Sequence, residues 1–260
     1  MDAKENSEEL HNNQWLAGIR LLDNDDRFED YLRHLFSVGE TKIVGKHRKV
    51  YVHFKTKNRN LTSGAAKQHL ADIFAGTTLY RTITDPLSYP HKNEAINQLL
   101  ISIGSTRMET STPFILSVLR AQAAGTLGDD MTRAILRETL VLLVRRKVTE
   151  LATTQYDVMF PSLLGKMVNE PNPIKVMQER FKQHDVLVSD EGFEDAVINK
   201  TAYRRNDLAF SRMLLMEIDK KLQSYGQLPD YSTVGTIEHM IPQTLDDRWK
   251  KYLGAEAEDD

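Results

Sequence analysis

The residues of this 260-residue chain best placed to do chemistry are Glu238 and His239, adjacent in the segment TIEHMIPQTLDDRW. An imidazole with its ordinary pKa of ~6.5 is poised to take a proton near neutral pH. A carboxylate beside it can hold a hard divalent cation through oxygen. Thr236, Ile237 and Ile241 are β-branched and Pro242 follows them, so residues 236–241 read as a short strand. Neighbouring strand residues point to opposite faces, so one of the pair can meet a ligand while the other is buried. A histidine satisfied within a strand, with Glu238 as an ordinary ion-pair partner, also accounts for the pair.

The second cluster is cationic. Lys42, Lys46, Arg48, Lys49, Lys55, Lys57 and Arg59 fall within eighteen positions, and no acidic residue occurs between 41 and 60. Such clusters make phosphate contacts whose strength depends on salt, and the interleaved Tyr51 and Phe54 could stack on an unpaired base. The preceding forty residues carry ten acidic side chains against four basic ones. The run therefore either lines a DNA groove or is a solvated face that pairs with the acidic residues at 23–30. Val50, Val52 and Phe54 alternate with Tyr51, His53 and Lys55, which fits a short strand as well as a helix end. Arg145, Arg146 and Lys147 form a third basic group. Three consecutive helical positions point to different sides, and at least one is expected to pair with Glu138 or Glu150. His11, His34, His69, His91 and His184 are scattered singly and receive no role.

The elements that must position these groups read as helices. Phe28, Tyr31, Leu32, Leu35 and Phe36 repeat at i, i+3, i+4, i+7 and i+8, one apolar stripe. Similar stripes run over 61–80, 95–103, 130–151 and 156–167. Ser111 or Thr112 is expected to cap a helix that has Pro113 in its first turn, and Asp129 or Asp130 to cap the long one. The segment EPNPI should stop the helix before it, with two further helices over roughly 190–200 and 206–224. Turn chemistry in GQLPDYSTVG then breaks the pattern, and LDDRWKKYLG has the spacing of a short helix with Trp249 and Leu253 on one face. The expected fold is mainly α: a multi-helix bundle over 1–225, then a short β-containing segment over 226–260.

TIEHMIPQTLDDRW with its trailing KKYLG resembles the first catalytic motif of GmrSD-type restriction endonucleases, whose C-terminal nuclease module is an HNH (His-Me finger) fold. FEDAVINKTAYRRNDLAFSRMLLMEIDKKL and RETLVLLVRRKVTELAT resemble, more loosely, the helix-rich stretch before that motif, as does the early WLAGIRLLDNDDRFEDYLRHLF. The resemblance implies metal-dependent hydrolysis of DNA phosphodiesters. It implies that His239 is the general base and that Glu238 ligates a divalent ion, Mg²⁺ or Mn²⁺. Pro242, Gln243 and Trp249 match the motif and would shape its turn. Modified phage DNA is the implied substrate, and a nucleotide-dependent domain is the family's usual N-terminal partner. The Gly-Asn-Leu-type continuation that completes the family's metal site does not occur in the sequence. The chain by itself is therefore expected to be inactive or nearly so.

Composition removes several other classes. There is no cysteine, so disulfides, thiol nucleophiles and zinc knuckles fall away. The formal net charge of −3 argues against binding polyanions through bulk charge, though not against a local basic patch. No apolar run approaches the ~18 residues of a membrane span, and MDAKENSEEL lacks the features of a signal peptide, so the expected location is the cytoplasm. No phosphate-binding or dinucleotide glycine motif occurs. The competing reading is a non-catalytic helical interaction or DNA-binding module whose strand-like tail at 234–241 pairs with a partner chain.

Overall fold

The computed structural model describes residues 15–199, 207–223 and 246–254, together with Asn12, Ile237 and Thr244. The chain divides into two compact units, residues 1–204 and 205–260. The composition change at 226–233 thus lies inside the second unit. The expected strand at 236–241 lies outside the described residues except for Ile237, and among the described residues there is no strand.

The first unit is built around α6 (Thr112–Ala123). Its sequence TPFILSVLRAQA is apolar on nearly every side, and such a helix has to be enclosed by others. Phe114, Ile115, Leu116, Val118 and Leu119 are all buried. Around it pack α2 (Asp25–Ser37), α4 (Ser63–Thr84), α7 (Asp129–Thr149) and α8 (Tyr156–Met167). On the outside, α1 (Leu16–Leu21) lies against α4 and α2, α3 (Arg48–Lys57) against α2, and α5 (Glu94–Ser105) against α7. α9 (Pro173–Gln183) packs on α8, and α10 (Asp190–Asn199) on α7.

Several helix starts follow from side-chain caps. Asn24, Thr62, Asn93 and Asn172 each accept a hydrogen bond from a first-turn N–H, at Arg27, Ala65, Ile96 and Lys175 respectively. Two expected caps are absent. Ser111 Oγ instead donates to the Met108 carbonyl, because a 3-10 turn over Glu109–Ser111 leads straight into α6. α7 starts after Gly128, and Asp129 turns its carboxylate to Asn93 Nδ2 and Gln122 Nε2, both at 2.8 Å. Those two bonds hold the carboxyl below the usual carboxylate range and tie together the ends of α5, α6 and α7. The EPNPI segment does end α8, but its Asn172-Pro173 pair also starts α9, a helix that the sequence reading passes over. Proline at the first helical position lacks only an N–H that would go unused there.

A proline inside α8 creates a docking point. Pro161 has no N–H for the Asp157 carbonyl, and the Ile43 N–H takes that acceptor at 2.9 Å. The Gly39 N–H then bonds the Pro161 carbonyl at 2.7 Å, so two hydrogen bonds fasten the α2–α3 loop to α8.

In the second unit, α11 (Leu208–Leu222) buries Phe210, Ser211 and Met213. The short helix expected around Trp249 is present as α12 (Asp247–Leu253), with Asp246 Oδ1 accepting from the N–H groups of Arg248 and Trp249. Trp249 and Tyr252 meet edge to face, 6.0 Å between ring centroids. Among the described residues no helix is long and apolar enough to cross a membrane.

One contact reverses a usual rule. The Tyr31 hydroxyl donates to the Ile73 carbonyl at 2.5 Å and lies where a Cβ on Gly76 would sit. Replacing a mid-helix glycine by alanine ordinarily gains up to about 1 kcal/mol. Gly76→Ala is expected to lose about 1–3 kcal/mol instead, as overpacking does. Gly104→Ala, with nothing within 4 Å of the added carbon, should be neutral or gain. Urea unfolding midpoints of the two variants check this.

Candidate nucleic-acid interface

The basic run folds as the α2–α3 loop and α3, a helix and not a strand. The alternation of Val50, Val52 and Phe54 is not what decides it. At helical spacing His47, Val50, Tyr51 and Phe54 share one side, and Val50 is buried against the rest of the unit. The structure separates the seven cations into two groups. Lys46 lies 3.5 Å from Asp30, and Lys57 lies 2.8 Å from Glu40, with His53 Nε2 3.8 Å from the same carboxylate. Lys42, Arg48, Lys49, Lys55 and Arg59 are exposed. Part of the run therefore pairs with acidic residues, as one of the two readings requires, and part faces solvent beside Tyr51, which is 63% exposed.

Between α1, α2 and α3 lies a cleft of about 230 Å³. Its walls are aromatic: Trp15 meets Phe28 edge-on at 4.9 Å and lies 6.4 Å from Phe54, and Phe54 stacks on Phe36 at 5.6 Å. Asp25 and Glu29, one turn apart on α2, supply its carboxylates. Glu29 Oε1 accepts from the His47 N–H at 2.7 Å, fixing a residue whose φ of 56° is uncommon outside glycine. This cleft is not legible in the sequence as a site. Its one linear trace is the spacing of His47, Val50, Tyr51 and Phe54 on α3; the other walls come from α1 and α2.

A larger cavity of about 430 Å³ lies between α2, the C-terminal end of α4 and the α5–α6 loop, with Arg27, Arg81 and Arg107 among its lining residues. His34 reaches it but is not free to act as a base. Its Nε2 faces Arg33 at 2.9 Å, and a guanidinium only donates, so Nδ1 carries the proton and donates to Tyr80 Oη at 3.2 Å. Both ring nitrogens are thus used. Burial, with Arg33 close by, pushes the His34 pKa down to about 3.

The third basic group is consumed by the fold. Arg145 bonds the Val188 carbonyl at 3.0 Å and pairs with Asp190, Arg146 donates to the Ala152 carbonyl, and Lys147 donates to the Thr106 carbonyl at 2.9 Å. These carbonyl partners come from the α5–α6, α7–α8 and α9–α10 connections. Glu238, His239, Pro242 and Gln243 lie outside the described residues, while Trp249 sits on α12. Among the described residues no group of three or more His, Asp or Glu side chains is placed to hold a metal ion.

The buried imidazole gives stability a pH dependence. The unfolded His34 takes up a proton as pH falls through ~6.5, whereas the folded one resists until about 3, so acid favours the unfolded chain across that window. Stability is full above ~6.5, and the loss from this residue by pH 5 is on the order of 2 kcal/mol. His184, lowered by burial and by Lys166 and Arg180, acts in the same direction. Urea unfolding at pH 7 and pH 5 should show a smaller acid loss in His34→Gln than in the parent.

Searches among curated proteins and among solved structures give no match. A family comparison does. Residues 187–260, running from the lead-in to α10 through the whole second unit and containing Glu238, His239, Pro242, Gln243 and Trp249, match the family of GmrSD restriction endonucleases in their C-terminal domain.

Proposed function

We propose that this chain is the helical and nuclease-motif part of a DNA-cutting restriction protein that defends a cell against phage. The observation that carries the reading is the family match over residues 187–260, which encloses the Glu238-His239 pair. In this reading residues 1–225 are a helical domain and 226–260 begin an HNH module. His239 accepts the proton of the attacking water, and Glu238 is a ligand for Mg²⁺ or Mn²⁺. Such an ion, when bound, supplies charge stabilisation at the scissile phosphate. The described residues contain no such site, and this chain's own part is the proton transfer at His239 Nε2 or Nδ1. Pro242, Gln243 and Trp249 match the motif and in this reading shape its turn. The substrate is phage DNA, in modified form, met in the cytoplasm.

Duplex contacts fall to the exposed cations Lys42, Arg48, Lys49, Lys55 and Arg59. Lys46 and Lys57 contribute less, since Asp30 and Glu40 already neutralise them. A second reading, a non-catalytic module that docks a partner chain, is favoured by one observation. Leu208, Leu215 and Ile218 fall along one stripe of α11 and are exposed.

Two measurements test these readings. In cells carrying the gene in its own locus, His239→Ala should reduce protection against phage with modified DNA to the level of a deletion strain. Full protection in that variant would assign the protein to the partner-docking reading. For DNA contact, each lost phosphate contact lowers the slope of log affinity against log salt by ~0.9 on a duplex. The Arg48/Lys49/Lys55 triple alanine variant should therefore lose about 2–3 from that slope. Lys46→Ala should change it by less than any one of the three.

A further inference from the structure

α3 carries two kinds of surface side by side. At about 100° per residue, His47, Val50, Tyr51 and Phe54 cover an arc of about 100° that forms one wall of the aromatic cleft. Lys55 and Arg48 come next round the helix, within about 60° of Tyr51 on its outer side. Lys57 and His53 lie past Val50 on the other side, where Glu40 holds them. An aromatic slot with two exposed cations along one lip has the layout of a site for one nucleotide unit: ring inside, phosphates outside.

We propose that the cleft between α1, α2 and α3 receives a single unpaired nucleobase from a DNA strand whose phosphates lie along Arg48 and Lys55. The proposal rests on the DNA-binding reading above and adds what that reading lacks, the part of DNA that enters the protein. Size supports it. At about 230 Å³ the cleft is smaller than the ~300–1,000 Å³ of sites that enclose a whole cofactor or drug-sized ligand, so it has room for one ring system. Charge supports it as well. Asp25 and Glu29 keep phosphate out of the slot, yet a carboxylate accepts hydrogen bonds from the exocyclic amino group of a base. Glu29 Oε1 is taken by His47, which leaves its second oxygen and the Asp25 carboxylate for that role. A cationic peptide would also suit aromatic walls and carboxylates, but Arg48 and Lys55 on the lip would repel it. The site therefore prefers single-stranded or unpaired DNA, since extracting a base from a duplex carries an unstacking cost, and it prefers an amino-bearing base to thymine.

Trp15 in the wall is a built-in reporter. In the full chain carrying Trp249→Phe, it is the remaining tryptophan. Titration with a labelled cytosine-only single strand should quench its fluorescence. By anisotropy that strand should bind about tenfold tighter than an abasic strand of equal length, with a thymine-only strand in between. Tyr51→Ala, at an exposed position that leaves the fold intact, should bring the base-to-abasic ratio close to one; this arm needs no tryptophan change. Equal binding of base-bearing and abasic strands without quenching overturns the cleft assignment and leaves DNA binding standing. No binding of either strand removes both. Quenching by tetramethylammonium but not by DNA reassigns the cleft to a cationic partner and overturns the proposal.

Discussion

The first unit depends on the enclosure of α6. A twelve-residue helix that is apolar nearly all round cannot face water on any side, so other helices must close over it. α2, α4, α7 and α8 do so, and each then has one apolar stripe committed inward and a polar face left outward. The exposed cations of α3 and the carboxylates of α2 are consequences of that commitment. α2 spends its inner face on α6 and α4, which leaves Asp25, Glu29 and Asp30 on the side where α3 arrives.

Charge pairing then sorts the functional surface from the structural one. Each of the two basic clusters in the first unit looks alike in sequence, yet their fates differ. Arg145, Arg146 and Lys147 are drawn into backbone carbonyls and Asp190, and they serve to join α7 to the segments packed beside it. In the 42–59 run Lys46 and Lys57 are paired with acidic residues, and the remaining cations stay exposed, with Arg48 and Lys55 flanking the exposed Tyr51 on α3. Exposed ion pairs contribute little stability, so the pairing matters here chiefly because it decides which cations remain available.

The helices were legible wherever a stripe was long. Those over 61–80, 95–103 and 130–151 appear as α4, α5 and α7 with ends shifted by a few residues. α9 was missed because Asn172-Pro173 reads as a stop, and the same pair is also a start; local chemistry does not say which. α3 is ambiguous in sequence because five of its ten residues are β-branched or aromatic and fit either period, and burial of Val50 settles it. His34 was passed over as a lone histidine. Its partner Tyr80 is forty-six positions away, and only the packing of α2 on α4 makes the two a hydrogen-bonded pair.

By itself the sequence determined the helical class, the absence of cysteine and the Glu238-His239 motif that the family match encloses. Each of these is set by residue type and short-range spacing. The tertiary structure alone decided which cations are neutralised, which histidine is buried and neutral, and that Trp15, Phe28 and Phe54 meet in one cleft. Those outcomes depend on side chains brought together from separate helices, and composition and periodicity along the chain carry no information about such distances.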